Sequence, residues 1–425
     1  MMVKQISAGL GKNHTHRETN VSTHRTLGYF AHAIVLAVLA TPQVAAADEV
    51  FAAKTAITLP TGQSISTFDI SYDDPVLELY LLGDRTNKAV DSIDTRSNQV
   101  VAQLGQGTFV GFTGNNDTSG PNGVLTVHHR EVWAGNGDST VHVIDIKSQQ
   151  TTHIIPTGGA FRADEGCFDP RNHVVLIAND AEHDNPANWP FVTFISTDTY
   201  TVVGKITMNG TDGTPLATNG IEQCQWSPRT GKIYLNIPEV NGPGNDTVPG
   251  AVLVIDAKLM QIVQTYTIPL ASCAGPQGMA LGPDHQILLG CNAPGPTGTN
   301  PTAVIDERNG AVLATLANES GSDEVWFNPG DDHYFLARSS AVAAIQLLGV
   351  IDANSLTADP SVFTALAGAP NAHSVAADPI FNQVYVPIPA AHSTVCSSVG
   401  GSDALGCIAV FTAPKDDHAK LATDQ

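Results

Sequence analysis

Apolar and polar residues alternate with a period of two along most of the chain, in short runs separated by polar turns. That is the signature of half-buried β-strands. The clearest run is REVWAGNGDSTVHVIDIKSQQTTHIIPTGG (Arg130–Gly159). It predicts a strand ending in Asn, a polar turn, a strand ending in Ile-Asp, a second turn and a third strand. The pattern returns as GKIYLNIPE with GAVLVIDAKLMQIVQTYTI (Gly231–Ile268), as HQILLGCN with TAVIDERNGAVLATL (His285–Leu316), and more faintly over Leu79–Leu104. A short strand closed by a small or polar residue and Pro precedes most copies. Examples are DISYDDP (Asp69–Pro75), DEGCFDP (Asp164–Pro170), EQCQWSP (Glu222–Pro228), QGMALGP (Gln277–Pro283), DEVWFNP (Asp323–Pro329) and HSVAADP (His373–Pro379). The copy near Asn122–Val127 lacks the Pro.

A repeat of roughly 50 residues falls in the range of propeller blades. The predicted fold is all-β: a seven-bladed β-propeller of four-stranded antiparallel blades, with strands a to d numbered outward from the axis. The last copy stops after IAVF (Ile408–Phe411), one strand short. The orphan strand VFAAKTAITLP (Val50–Pro60) is expected to supply the missing outer strand and close the ring, which removes an open sheet edge.

Composition adds the compartment. LGYFAHAIVLAVLA (Leu27–Ala40) follows Lys4, Lys12, Arg17 and Arg25 and precedes the A-x-A of Ala45 and Ala47. Residues 1–47 therefore read as a signal peptide, with an uncleaved anchor as the alternative. Residues 48–415 form the propeller and 416–425 a polar tail. The signal takes four of the 20 basic and one of the 41 acidic residues, leaving 16 against 40 and a formal charge of −24. Such a field repels phosphate backbones, so nucleic acid is not expected as a partner, and it attracts cations. The expected location is periplasmic or secreted, with no membrane span after cleavage, and the expected state is a monomer. Six cysteines in an exported chain invite disulfides. Cys273 with Cys291, and Cys396 with Cys407, are predicted to pair at the loops of their own blades. Cys167 and Cys224, on neighbouring a-strands, either pair across blades or are buried thiols.

EVWAGNGDSTVHVID and KIYLNIP…GAVLVIDA resemble the YVTN repeat of YncE-like β-propeller proteins, over nearly the whole mature chain. The resemblance implies a bacterial secreted or periplasmic protein, often without a known activity. Some relatives are associated with nucleic-acid binding, which the acidic balance here opposes. Related propellers include metal-dependent lactonases and a streptogramin lyase, so an enzyme enters by analogy alone.

Propeller topology places the candidate site. The start of strand a and the end of strand b share one face, together with the d–a and b–c loops. The residue six before each Pro is Asp69, Asp164, Glu222, Gln277, Asp323 and His373, with Asn122 near that place in the second copy. Strand b ends supply Asn136, Asn179, Asp180, Asn236, Asn292 and Arg338, with His183, Glu239 and His392 just beyond and Arg162 in a d–a loop. The recurrent Asn is expected to cap the b–c turn. Alternation predicts that only one of each pair Asp164–Glu165 and Asp323–Glu324 faces the channel. A polar channel lining is the plainer reading of the acid ring. A site is the sharper one, because convergent carboxylates need a cation or raised pKa values.

Asp69, Asp164, Glu222, Asp323, His373 and His392 are the candidate ligands of one divalent cation, Ca²⁺ if oxygens dominate and a transition metal if the histidines do. Without it no cofactor is expected. Arg162, Arg338, Asn179, Asn292 and His183 are candidate ligand-binding residues, and His373 and Glu222 candidate catalytic ones. Three functions follow. The favoured one is a propeller binding a small ligand, cation or partner protein at this mouth. A metal-dependent lyase or hydrolase, such as a lactonase, and a cell-surface structural propeller are the alternatives.

Overall fold

The computed structural model describes residues 50–180, 189–293, 301–317, 319, 321–342, 345–366 and 373–413. The expected signal peptide, the polar tail and His183 lie outside the described residues. Within them, 28 strands form seven four-stranded antiparallel sheets, an all-β seven-bladed propeller. In the first blade, strands a to d are Ser71–Asp74, Leu79–Asp84, Ala89–Asp94 and Gln99–Leu104. The other a-strands are Val124–Val127, Gly166–Asp169, Cys224–Trp226, Pro276–Leu281, Val325–Asn328 and Ala376–Asp378. Each packs beside the a-strands of the two flanking blades, and Ser71–Asp74 lies beside Ala376–Asp378. In the last blade Ala52–Ile57 pairs antiparallel with Cys407–Thr412 and is the outermost strand.

Turn chemistry explains the repeated motif. Where the residue before the Pro is Asp, Asn or Ser, it caps the a–b turn. Asp74 accepts from the amides of Val76 and Leu77, Asp169 from Arg171 and Asn172, and Asp378 from Ile380. The Ile-Asp that ends strand c caps the c–d turn in the same way. Asp94 accepts from the amide and hydroxyl of Ser97, and Asp145 from those of Ser148. A carboxylate that satisfies turn amides stops the strand at a defined residue. The blades are glued by apolar side chains alternating from b- and c-strands, such as Leu81, Val132, Trp133, Leu253 and Phe335, all fully buried.

One glycine position sets how closely blades approach at the mouth. Gly83, Gly135 and Gly290 sit near the ends of their b-strands. A Cβ there would strike the carbonyl oxygens of Asn122, Ala163 and Asp323 in the next blade. The absent side chain lets the next blade's mouth residues press in.

All three disulfides are formed, and no free cysteine stands among the described residues. Cys273–Cys291 and Cys396–Cys407 pair as expected. Cys167–Cys224 joins the a-strands of the third and fourth blades with Cα atoms 5.8 Å apart, which settles the case the sequence left open. No helix among the described residues is long and apolar enough to cross a membrane.

Candidate functional site

The mouth ring is held by one repeated hydrogen bond. The backbone amides of Asp69, Asn122, Asp164, Glu222 and Asp323 donate to carbonyls of their own b-strands, at 2.8–3.3 Å. Each side chain is thus delivered to the channel at the same height. There Asp69, Asp164, Glu165, Glu222, Asp323, Arg162 and His373 line one cavity of about 310 Å³, with Asn116 at its rim.

Two guanidinium groups lie among the acids. Arg85 donates to Asp69 Oδ2 at 2.6 Å, to Asn122 Oδ1 at 2.7 Å and to Asn116 Oδ1 at 2.6 Å. Arg162 Nη2 meets Asp164 at 2.8 Å and Asp180 at 2.6 Å, and its Nε bonds Asp180 at 3.0 Å. His373 Nε2 lies 2.9 Å from Asp69 Oδ1, and its ring stacks on Phe68. Asp69 therefore bridges a guanidinium and an imidazole. Burial alone would raise its pKa, but Arg85 and His373 outweigh it and hold the carboxyl at about 2. Burial would lower His373, yet Asp69 and Asp323 lift it above its ordinary value, so the imidazolium is favoured.

The remaining acids are poorly compensated. Burial drives Asp164, Glu165 and Glu222 well above the usual carboxylate range. Neighbouring carboxylates add to the shift, while Arg162 opposes it for Asp164 and Glu222. Burial also raises Asp323, against His373. One contact to Glu222 is a 3.4 Å hydrogen bond from Gln277 Nε2. Burial favours the protonated form of these acids and a bound cation would favour the ionised form, which is the chemistry the cavity offers.

Several expectations need correction. Asp164 and Glu165 both line the cavity, because the a-strand begins only at Gly166 and alternation does not yet apply. Asp323 and Glu324 do diverge. Glu324 accepts from Ser374 Oγ at 2.8 Å, the Val375 amide at 2.9 Å and the Ser71 amide at 3.3 Å, and burial lifts it to about 8. Arg338 is not at a strand end: its b-strand runs on to Val342, and its buried guanidinium bonds Glu319 at 3.0 Å and Ser361 at 2.7 Å. The Asn residues mostly tie other segments rather than cap their own turns. Asn236 donates to the carbonyls of Gln277 and Gly278 in the next blade. Asn179 donates to Ser139 and to the Arg162 carbonyl. Asn136 does bond Asp138 in its b–c turn.

Of the sequence-predicted site residues, Asp69, Asp164, Glu222, Asp323, His373 and Arg162 converge on the cavity, whereas His392, Asn179, Asn292 and Arg338 do not line it. No group of three or more His, Cys, Asp or Glu among the described residues is placed to hold a metal ion. The ring brings carboxyls into one cavity, but Arg85, Arg162 and His373 stand between them. Arg85 escaped the sequence reading. Its only signal is a basic residue one past the end of strand b, in the register that carries Asp180 two blades on.

No family model matches the chain, and no curated protein matches it in sequence. Solved structures do share its shape. A chain of the mitotic checkpoint complex is 13% identical over 92% of this chain and 98% of its own length, with a TM-score of 0.55. A chain of hydrazine synthase from Kuenenia stuttgartiensis is 15% identical over 78% and 94%, with a TM-score of 0.57. Likeness at this identity concerns the fold.

Proposed function

We propose that this protein is an exported β-propeller that binds a small cationic ligand in the acidic channel mouth. The observation that carries the proposal is one cavity faced by five carboxyl groups against Arg162 and His373. Three disulfides fit an oxidising compartment. The YncE-like resemblance and the acidic charge support the same reading, and the cavity's size suits a small ion or molecule better than a polymer.

Binding a cation here favours the ionised form of Glu165 and Glu222, against the burial that favours their protonated form. Affinity should therefore rise with pH. Asp69, Asp164, Arg162 and His373 face the same cavity, and Arg85 lies against Asp69. Isothermal titration with methylammonium and with divalent ions at pH 6 and pH 8.5 tests this. The expected result is tighter binding at the higher pH and at least tenfold weaker binding in Glu222→Gln. No binding of any cation at either pH overturns the proposal. Turnover of a titrated compound, lost in His373→Ala, would support the lyase or hydrolase alternative instead.

A further inference from the structure

The acidic mouth is not a closed cup. A second cavity of about 370 Å³ lies further along the same a-strands and is walled by Tyr72, Leu125, Phe168, Trp226 and Trp326. Ile70 and Glu165 line both cavities. Glu165 thus stands where an acidic chamber meets an aromatic one. It is only 6% exposed, and among the described residues its carboxyl has no hydrogen-bond or ion-pair partner. The groups acting on it are other acids, Asp164, Glu222, Asp323 and Glu324. A buried carboxyl surrounded by acids and open to two cavities has no positive partner among the described residues.

The walls around it are rigid. Cys167–Cys224 locks the two a-strands that carry Phe168 and Trp226. Gly123 leaves room for the Glu165 backbone, since a Cβ there would fall 2.6 Å from Glu165 Cα. The aromatic side chains are half-buried and present apolar surface to the second cavity. Aromatic faces attract cations and stack on flat apolar bodies.

Resting on the cation-binding reading above, we infer that the ligand is an amphipathic organic cation. Its ammonium group sits at Glu165, and its aromatic or branched aliphatic body fills the chamber of Tyr72, Phe168, Trp226 and Trp326. A bare metal ion or methylammonium would satisfy the carboxyl and leave the aromatic chamber unused. A neutral aromatic would do the reverse.

Titration with three probes tests this: phenethylammonium, methylammonium and 2-phenylethanol. Phenethylammonium is expected to bind at least tenfold more tightly than either of the others. Glu165→Gln should weaken phenethylammonium at least tenfold and leave 2-phenylethanol unchanged. Trp326→Ala should weaken phenethylammonium and leave methylammonium unchanged. If Trp326→Ala fails to fold, Trp326→Leu takes its place, and quenching or shift of tryptophan emission in the wild-type protein reports the same contact. Equal affinity for the two ammonium probes, with no effect of Glu165→Gln or of the Trp326 variant, overturns this inference and leaves the cation-binding proposal standing. Failure of both ammonium probes and of divalent ions overturns both.

Discussion

The two ends of the channel are built by the same inner strands and have opposite chemistry. At the near mouth, six residues before the Pro, stand Asp69, Asp164, Glu222, Asp323 and His373. Two or three residues before the Pro, the same strands carry Tyr72, Phe168, Trp226 and Trp326. The near mouth is held by charge pairs through Arg85 and Arg162, the far chamber by apolar packing and a disulfide. Buried charges are specific but costly when one partner is lost, whereas apolar contacts are tolerant and individually weak. The near mouth should therefore be the more brittle end.

The harshest way to break this contrast is Arg162→Ala. It strips Asp164 and Asp180 of their shared cation and should cost about 3–5 kcal/mol, read from urea unfolding. A loss below about 1 kcal/mol would mean the acids simply take up protons and the pairing is dispensable. At the far end, Cys167→Ser with Cys224→Ser should cost about 2–4 kcal/mol. Reducing agent should destabilise the parent protein by more than the double variant, which keeps only Cys273–Cys291 and Cys396–Cys407 to lose.

Acidity sharpens the contrast next. Burial and the neighbouring Asp378 and Asp74 push Asp73 up to about 9, and burial lifts Glu324 to about 8. A carboxyl whose pKa is raised by folding keeps protons that the unfolded chain releases. Its contribution is greatest below the ordinary carboxylate pKa and falls as pH rises towards 8 or 9. His373, also raised, adds stability at low pH that is lost as pH climbs through its folded value. Asp69 acts in the other direction: its contribution is present above the ordinary carboxylate pKa and disappears as pH falls towards about 2. Thermal melts should therefore peak in mildly acidic buffer and drop by several degrees at pH 8.5. A melting temperature that rises steadily to pH 8.5 would contradict the burial of these groups.

The smallest effect expected is for His373→Ala, about 1–2 kcal/mol by chemical denaturation, since a hydrogen bond to a charged group and a ring contact are lost while Arg85 still holds Asp69. A larger loss would make His373 a structural post rather than a site residue.

Much of the near mouth was legible. A proline at a fixed offset gives the register, so five residues of the ring could be read across blades that share little else. Arg85 was not legible, because its role exists only where the first two blades meet, and the same register carries the opposite charge, Asp180, two blades on. Only one of Asp164 and Glu165 was expected to face the channel, yet both do, because alternation holds only once the chain has entered the strand, and the strand starts one residue later. The aromatic chamber went unread for a different reason. Tyr72, Phe168, Trp226 and Trp326 look like ordinary core residues until the strands are arranged around one axis. His373 and His392 looked like a pair, yet only His373 reaches the cavity.

By itself the sequence determined the blades, because alternation, Asx-capped turns and the x-Pro stop are local physics repeated from blade to blade. It also determined the acidic character of the channel mouth and two of the three cysteine pairs. Only the tertiary structure decided which acids share a cation, that Cys167 meets Cys224, and that Glu165 faces two chambers at once. Those facts depend on how neighbouring blades press together, at distances set by side chains far apart in the chain.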